Sequence, residues 1–101
     1  MKIELSTMPD STLMRLSGRF DYTTRNEFMG QVDAAVADGA GPEFRIDMSG
    51  LEYIDSSALG MLLMLRDKAK KFNRTVILSG AYGYVRQVLD TAQFERLFIV
   101  H

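Results

Sequence analysis

Residues 55–60 read Asp55-Ser56-Ser57-Ala58-Leu59-Gly60, and they join a strand-like segment to an apolar helical segment, Met61 to Leu65. Serine and aspartate are common at the start of helices, where backbone N–H groups lack partners and the helix dipole is positive. We therefore interpret this stretch as a strand-to-helix junction that favours negative charge. Two interpretations of its hydroxyls stay open: a serine caps the helix, or a serine holds an added phosphate.

Five segments have the residue pattern of β-strands. Alternating polar and apolar residues, or runs of β-branched residues, indicate a strand, and the proline and polar residues at 7–11 indicate a turn between the first two. The first two segments therefore predict a hairpin. The strand segments contain Ile3 and Leu5; Leu13, Met14 and Leu16; Phe44, Ile46 and Met48; Thr75 to Leu78; and Phe94 with Leu97 to Val100.

Three segments have the spacing of amphipathic helices, with apolar residues on one stripe. The first helix is predicted to begin near Asp21 to Thr23 and to end at Gly39-Ala40-Gly41-Pro42, because glycine suits a helix end and proline cannot continue one. The second is predicted from about Ser56 to Phe72 and the third from about Tyr82 to Asp90. The predicted core-facing residues are Phe28, Val32, Ala35, Val36, Ala58, Leu62, Leu65, Ala69, Phe72, Val85, Val88 and Leu89.

The order of these elements, β-β-α-β-α-β-α-β, predicts an α/β fold. With 101 residues and 47% hydrophobic content, the chain is long enough for one core and too short for two, so we expect a single domain over 1–101. Strands connected through helices run parallel, whereas the two strands of a hairpin run antiparallel. We predict a mixed, largely parallel sheet with helices packed on it.

The composition disfavours several classes of function. A formal charge of −1 without a basic face does not indicate nucleic-acid binding, and Lys68, Lys70 and Lys71 fit the solvated end of a helix. Because cysteine is absent, the aspartates are scattered and no Gly-x-x-x-x-Gly-Lys loop occurs, we expect no metal or cofactor. The first residues lack a signal-peptide pattern, and no stretch approaches the ~20 apolar residues of a membrane span. We expect a cytoplasmic protein.

Catalysis by a serine is not expected. A nucleophilic serine needs a base within hydrogen-bond distance, and the only histidine is His101, the last residue. The junction also lacks the Gly-x-Ser-x-Gly pattern of a nucleophile elbow. We therefore expect a protein that is not an enzyme, with a small hydrolase as a minor alternative.

Polar residues occupy two places where a strand leads into a helix. Asp21-Tyr22-Thr23-Thr24 precedes the first predicted helix, and Asp55-Ser56-Ser57 precedes the second. Binding sites of α/β sheets lie at this edge, so we expect the two stretches to converge. The apolar residues Leu59, Met61 and Met64 adjoin them and have two interpretations. Methionines commonly fill gaps in a core, or these side chains form a partner-binding patch.

Two motifs of the chain resemble those of a known family. Residues 55–60 are similar to the signature Asp-Ser-Ser-Gly-Leu-Gly, although Ala58 stands where the common pattern has glycine. Residues 47–54 before them are similar to the family's strand and turn. Leu16-Ser17-Gly18-Arg19-Phe20-Asp21 is similar to Leu-x-Gly-x-Leu-Asp before the first helix. Over nearly its whole length the sequence therefore resembles the STAS domain, in its bacterial form as an anti-sigma-factor antagonist.

The resemblance implies a protein that switches partners and regulates transcription. The unphosphorylated form binds a kinase-like anti-sigma factor or a related serine kinase, phosphorylation of the first serine of the signature abolishes binding, and a serine phosphatase restores it. Carried over by position, the phosphoacceptor is Ser56. A STAS scaffold that is never phosphorylated, or a transporter-associated subunit, is the alternative. The residues expected to bind the partner are Asp21, Tyr22, Thr23, Asp55, Ser57, Ala58, Leu59 and Met61.

Overall fold

The structure, a computed structural model, describes residues 1–38 and 41–101. Over these residues the chain forms five strands and three α-helices in the order β-β-α-β-α-β-α-β, which confirms the predicted α/β fold. None of these helices has the length and apolar character needed to cross a membrane. The elements are β1 (Lys2–Met8), β2 (Ser11–Phe20), a 3₁₀ turn (Tyr22–Thr24), α1 (Arg25–Asp38), β3 (Glu43–Ile54), α2 (Ser56–Lys70), β4 (Thr75–Ser79), α3 (Gly83–Thr91), a second 3₁₀ turn (Phe94–Arg96) and β5 (Ile99–Val100).

The strands form one sheet in the order β1-β2-β3-β4-β5. β1 and β2 pair antiparallel, with Met8 opposite Ser11 at the turn, which confirms the predicted hairpin. The pairs β2–β3, β3–β4 and β4–β5 are parallel, as connections through helices require. The carboxyl ends of β2, β3 and β4 therefore face one edge of the sheet, which we name the carboxyl edge, and α1, α2 and α3 follow from that edge.

One face of the sheet packs against the helices and forms the core. Alternate residues of β2 and β3, such as Leu16 and Ile46, are buried on this face. On the opposite face Arg15 and Asp47 pair at 3.1 Å. The predicted helical stripes are confirmed for these buried residues: Phe28, Val32, Ala35, Val36, Ala58, Leu62, Leu65, Ala69, Val85 and Leu89. Val88 is partly buried.

The edge strand β1 contributes little to this core. Among its residues only Ile3 is partly covered, and the others are exposed. Ile3 lies opposite Leu16 and Leu5 opposite Met14, so both point to the core face, but 39% of Leu5 remains exposed. β1 is therefore held mainly by its backbone pairing with β2.

The second helix ends earlier than predicted. α2 stops at Lys70, and Asn73 then adopts a left-handed conformation with φ 57°. Phe72 lies in this turn with 52% of its surface exposed, so the prediction that it faces the core is wrong. The predicted end of the first helix at Gly39-Ala40-Gly41-Pro42 falls partly on residues 39 and 40, which lie outside the described residues.

The last strand is shorter than predicted. Phe94–Arg96 is a 3₁₀ turn, and Gln93 before it has the left-handed φ of 57°. Phe94 and Phe98 are buried, with ring centroids 5.1 Å apart. The apolar character of this segment therefore reflects a turn packed on the core, and the prediction of a strand that includes Phe94 is wrong. Ile99–Val100 forms the strand that pairs with β4.

Ala58 and Met61 lie in the core. Both residues are 0% exposed, because they belong to the stripe of α2 that is buried under the fold. A partner cannot contact these two side chains while α2 is packed, so the prediction that they bind a partner is wrong. Met64, on the same helix, is 38% exposed.

The burial of Met61 predicts a large effect of truncation. We expect Met61→Ala to lower the free energy of unfolding by about 2–5 kcal/mol, because it removes buried atoms and leaves a cavity. Met64→Ala is the matched control, since it makes the same change at an exposed position and should cost less than about 1 kcal/mol. Urea denaturation followed by circular dichroism measures both. Equal losses would contradict the burial of Met61.

Arg74, just before β4, ties several segments together. It is 5% exposed. Its Nη1 donates to the carbonyl oxygen of Ala35 on α1 at 3.1 Å, and its Nε donates to that of Gly41 at 3.0 Å. Its Nη2 donates to the hydroxyl of Thr12 on β2 at 2.6 Å and to the carbonyl oxygen of Glu43 on β3 at 3.2 Å. The guanidinium therefore supplies hydrogen-bond donors to oxygen atoms of α1, β2 and β3 and of residue 41. These bonds lie at the end of the sheet opposite the carboxyl edge.

Removal of this guanidinium should destabilise the fold. We expect Arg74→Ala to lower the free energy of unfolding by roughly 3 kcal/mol or more, because buried acceptors lose their donors. Lys71→Ala, at an exposed position three residues away, should change it by less than about 0.5 kcal/mol. Both values come from chemical denaturation. If Arg74→Ala unfolds at the same denaturant concentration as Lys71→Ala, the bonds of Arg74 do not stabilise the fold.

Candidate functional site

Asp55 connects the two junctions that were predicted to converge. It follows β3, and its backbone N–H donates to the carbonyl oxygen of Phe20 at the end of β2, 3.2 Å away. Its Oδ2 accepts a hydrogen bond from the N–H of Tyr22 at 3.2 Å. The structure therefore brings the stretches 21–24 and 55–57 together at the carboxyl edge.

The carboxylate of Asp55 also caps α2. Its Oδ1 accepts from the N–H of Ala58 at 2.8 Å, and its carbonyl oxygen accepts from the N–H of Leu59 at 3.2 Å. With φ −114° and ψ −179°, Asp55 has the extended backbone of a residue that precedes a helix. The interpretation that a serine caps this helix is therefore wrong, because Asp55 takes that role.

Ser56 and Ser57 occupy the first two positions of α2. Both are exposed, and in the part of the chain that the structure describes neither hydroxyl makes a hydrogen bond within the protein. The first N–H groups of a helix have no acceptor within that helix, and the helix dipole is positive at this end. The surroundings of the two hydroxyls therefore favour an anionic group.

Asp21 organises the turn before α1. One of its carboxylate oxygens accepts from the backbone N–H of Thr23 at 3.0 Å and also from the Thr23 hydroxyl, while Arg19 lies 3.9 Å from the other oxygen. The hydroxyl of Thr24 donates to the carbonyl oxygen of Asp21 at 2.8 Å. The hydrogen bond from the Thr23 hydroxyl is the main cause that lowers the pKa of Asp21 below its ordinary value, with the Thr23 N–H and Arg19 adding to it. Asp21 is therefore ionised at neutral pH.

A stack of side chains beside the junctions was not predicted. The guanidinium of Arg19 lies 4.1 Å from the ring centroid of Tyr53, and the ring of Tyr84 stacks on Tyr53 at 5.7 Å with an interplanar angle of 9°. The stack joins β2, β3 and α3. The sequence did carry a signal for this stack, the two tyrosines of Tyr82-Gly83-Tyr84. They follow the fourth strand, and in a parallel sheet the junction after that strand lies at the same edge as the junctions after the second and third strands.

An apolar groove lies between α2 and α3 next to the serines. It has a volume of about 410 Å³ and includes Leu59, which is half-buried and one helical turn after Ser56. Of the three residues considered for an apolar patch, Leu59, Met61 and Met64, only Leu59 lines this groove, and Met61 lies in the core. The residues that line the groove are Leu59, Tyr84, Gln87, Val88, Thr91 and Ala92.

Asp21 and Asp55 each accept hydrogen bonds from backbone N–H groups, so both carboxylates hold the junctions in place. Across residues 1–38 and 41–101, no group of three or more histidine, cysteine, aspartate or glutamate side chains is arranged to hold a metal ion. Exposed hydroxyls, exposed tyrosine rings and an apolar groove are features of a surface that contacts another molecule.

Comparison with known proteins identifies a family that matches this arrangement. The family model described as "Mlab, STAS domain" matches residues 3–100. A STAS-domain containing protein of Pseudomonas aeruginosa (strain UCBPP-PA14) is 37% identical to this chain over 85 residues, which cover 84% of this chain and 82% of that protein.

Two solved structures share the fold at lower identity. An anti-sigma factor antagonist from Mycobacterium paratuberculosis has a TM-score of 0.86 at 22% identity, with 99% of this chain and 84% of that chain covered. The Bacillus cell fate determinant SpoIIAA in its phosphorylated form has a TM-score of 0.74 at 18% identity, with 99% of this chain and 91% of that chain covered. At these identities the likeness concerns the fold.

The double role of Asp55 predicts which substitutions the junction tolerates. We expect Asp55→Ala to lower the free energy of unfolding by about 1–2 kcal/mol, because α2 loses its cap. Asp55→Asn should fall between the wild type and Asp55→Ala, since its amide oxygen can still cap α2 at Ala58 but its amide nitrogen cannot accept from the N–H of Tyr22. Thermal denaturation of the three proteins measures the difference. Equal melting temperatures for the alanine and asparagine variants would contradict a stabilising cap.

Proposed function

This chain belongs to the STAS domain family, and from that membership and the geometry of Ser56 we propose that it is an anti-sigma-factor antagonist that acts by binding rather than catalysis. In its unphosphorylated form it binds a kinase-like anti-sigma factor or a related serine kinase. Phosphorylation of Ser56 releases this partner, and a serine phosphatase restores binding. The cycle regulates transcription.

One observation carries the assignment of Ser56. Its hydroxyl is exposed and not engaged within the described chain, because the carboxylate of Asp55 performs the capping that a serine would otherwise perform. A kinase requires such an accessible hydroxyl. Ser57 is exposed as well, and the choice between them rests on position, since Ser56 is the first serine of the stretch that resembles the family's signature.

The domain should tolerate a phosphate on Ser56. A phosphoserine carries about −1.5 to −2 charges, and negative charge at a helix N-terminus is favoured by about 0.3–1 kcal/mol. Because the side chain is already in solvent, no buried contact is lost when it is modified. The switch therefore acts on the partner and leaves the fold in place.

Electrostatic repulsion accounts for release of the partner. A dianion about 8 Å from a partner carboxylate costs roughly 1–2 kcal/mol at an effective dielectric constant of about 40–80. That range corresponds to about a five- to thirtyfold loss of affinity. Binding of the partner would also press the phosphate against the apolar groove beside Leu59, and the loss of its hydration there would add to this cost.

The partner surface consists of what is accessible around Ser56. We assign to it Tyr22, which is 70% exposed, together with Thr23, Ser57 and the groove that begins at Leu59. Asp21 and Asp55 contribute by holding this surface, since their carboxylates bind the N–H groups of Thr23, Tyr22 and Ala58. Tyrosines on such a surface supply large contact area at low entropic cost.

Affinity capture from the cell that makes this protein tests the proposal. Wild type, Ser56→Ala, Ser56→Asp and the control Ser6→Asp, which adds the same charge at an exposed serine of β1, serve as baits, and mass spectrometry identifies what each retains. We expect the wild type, Ser56→Ala and Ser6→Asp to retain a kinase-like protein, and Ser56→Asp to lose most of it. Incubation with the captured kinase and ATP should place phosphate on Ser56.

Three results would contradict the proposal. Equal capture by Ser56→Asp and Ser56→Ala would show that charge at this position is not the switch. Phosphate found on Ser57 alone would overturn the residue assignment. Recovery of a transport ATPase in place of a kinase by all four baits would favour the alternative of a transporter-associated STAS subunit.

A further inference from the structure

A second concave site lies at the far end of α2 from Ser56. It is a cleft of about 320 Å³ between the last turns of α2, the start of β4 and the segment 96–99. Ser56 and Lys70 stand at opposite ends of α2, roughly 21 Å apart at 1.5 Å per residue. The cleft is therefore separate from the carboxyl edge and has no part in the proposed phosphorylation switch.

The rim of this cleft carries positive charge that the protein neutralises only in part. Arg66 and Lys70 lie one helical turn apart on α2, and Arg96 comes from the second 3₁₀ turn. Within the described residues, Lys70 and Arg96 form no ion pair, and no acidic residue lines the cleft. The carboxylate of Asp67 lies 3.9 Å from the guanidinium of Arg66, but the side chain of Asp67 is 73% exposed, so solvent screens this ion pair.

One of these cations is held in position. The Nε of Arg66 donates to the carbonyl oxygen of Leu97 at 2.7 Å, which links α2 to the segment before β5. The side chain of Arg66 is 26% exposed, so its remaining N–H groups stay partly accessible. A fixed guanidinium loses less entropy than a free one when it binds an anion, because its rotamer is already selected.

Apolar side chains line part of the cleft, and its size suits a small molecule. Val76, Leu97 and Phe98 contribute to the lining beside the cations. Pockets for small ligands begin at about 300 Å³, whereas a stable protein interface needs about 800 Å² from each partner. We propose that this cleft binds a small organic anion, in which a phosphate or carboxylate group contacts Arg66, Lys70 and Arg96 and an apolar part packs on the wall.

Titration of ¹⁵N-labelled protein with phenyl phosphate tests this site. Inorganic phosphate and benzyl alcohol supply the anionic and apolar parts separately, and phenylacetate distinguishes carboxylate from phosphate as the preferred group. We expect saturable amide shifts at residues 66, 70 and 96–98 with phenyl phosphate or phenylacetate, and binding about tenfold weaker with either isolated part, because each makes only one class of contact.

Charge reversal at the rim supplies the matched comparison. Lys70→Glu and Arg96→Glu should each weaken binding of the preferred anion by about tenfold or more. Lys71→Glu makes the same change at the next residue, which does not line the cleft, and should leave affinity within about twofold of the wild type. Ser56→Asp should also bind normally, which separates this site from the proposed switch.

Four results would overturn the proposal. The first is the absence of saturable amide shifts with both aromatic anions, and the second is equal weakening of binding by Lys70→Glu and Lys71→Glu. The third is a set of shifts centred on residues 55–59. The fourth is binding of a glutamate-rich peptide, titrated in the same way, with no binding of the small anions. None of them depends on the outcome of the capture experiment at Ser56.

Discussion

The hydrogen bonds of Asp55 are the constraint on which the carboxyl edge depends. One carboxylate oxygen closes the first turn of α2, the other holds the N–H of Tyr22, and its own N–H binds the carbonyl oxygen of Phe20. Three bonds from one residue thus tie two strand ends to two helix starts. Because the cap is an aspartate, the hydroxyl of Ser56 is left in solvent, and the residue that fixes the junction also leaves its neighbour accessible.

Most of the fold was predictable because burial on one side of an element leaves a regular pattern in the sequence. Phe28, Val32 and Ala35 repeat at helical spacing, and Phe44 and Ile46 alternate as a strand requires, so the elements and their order followed. The segment from Phe94 shows where the pattern is insufficient. An apolar run looks the same in a strand and in a turn packed on a core, and the left-handed conformation of Gln93 has no strong sequence signal.

The convergence of the two junctions was predictable, but the hydrogen bonds within them were not. The polar residues before two helices indicated the edge, but aspartate and serine both cap helices, so only the folded structure shows that Asp55 is the cap and that the hydroxyl of Ser56 is free. Met61 was predicted on the partner surface because the first turns of α2 are apolar on several sides. Which of these sides is buried depends on packing against the rest of the fold, and the sequence of one helix does not reveal it. The stack of Arg19, Tyr53 and Tyr84 and the buried Arg74 depend on contacts between distant segments, which no local pattern encodes.

The exposed edge strand β1 has a consequence for how the molecule fluctuates. Local opening has a low free-energy cost where few apolar atoms are buried, so β1 should detach transiently far more often than β3, which is paired on both sides. Its amide protons would then exchange with deuterium before those of the inner strands. An uncovered strand edge also invites edge-to-edge aggregation, and the paired charges of Lys2 and Glu4, 3.5 Å apart on β1, are the kind of feature that discourages it.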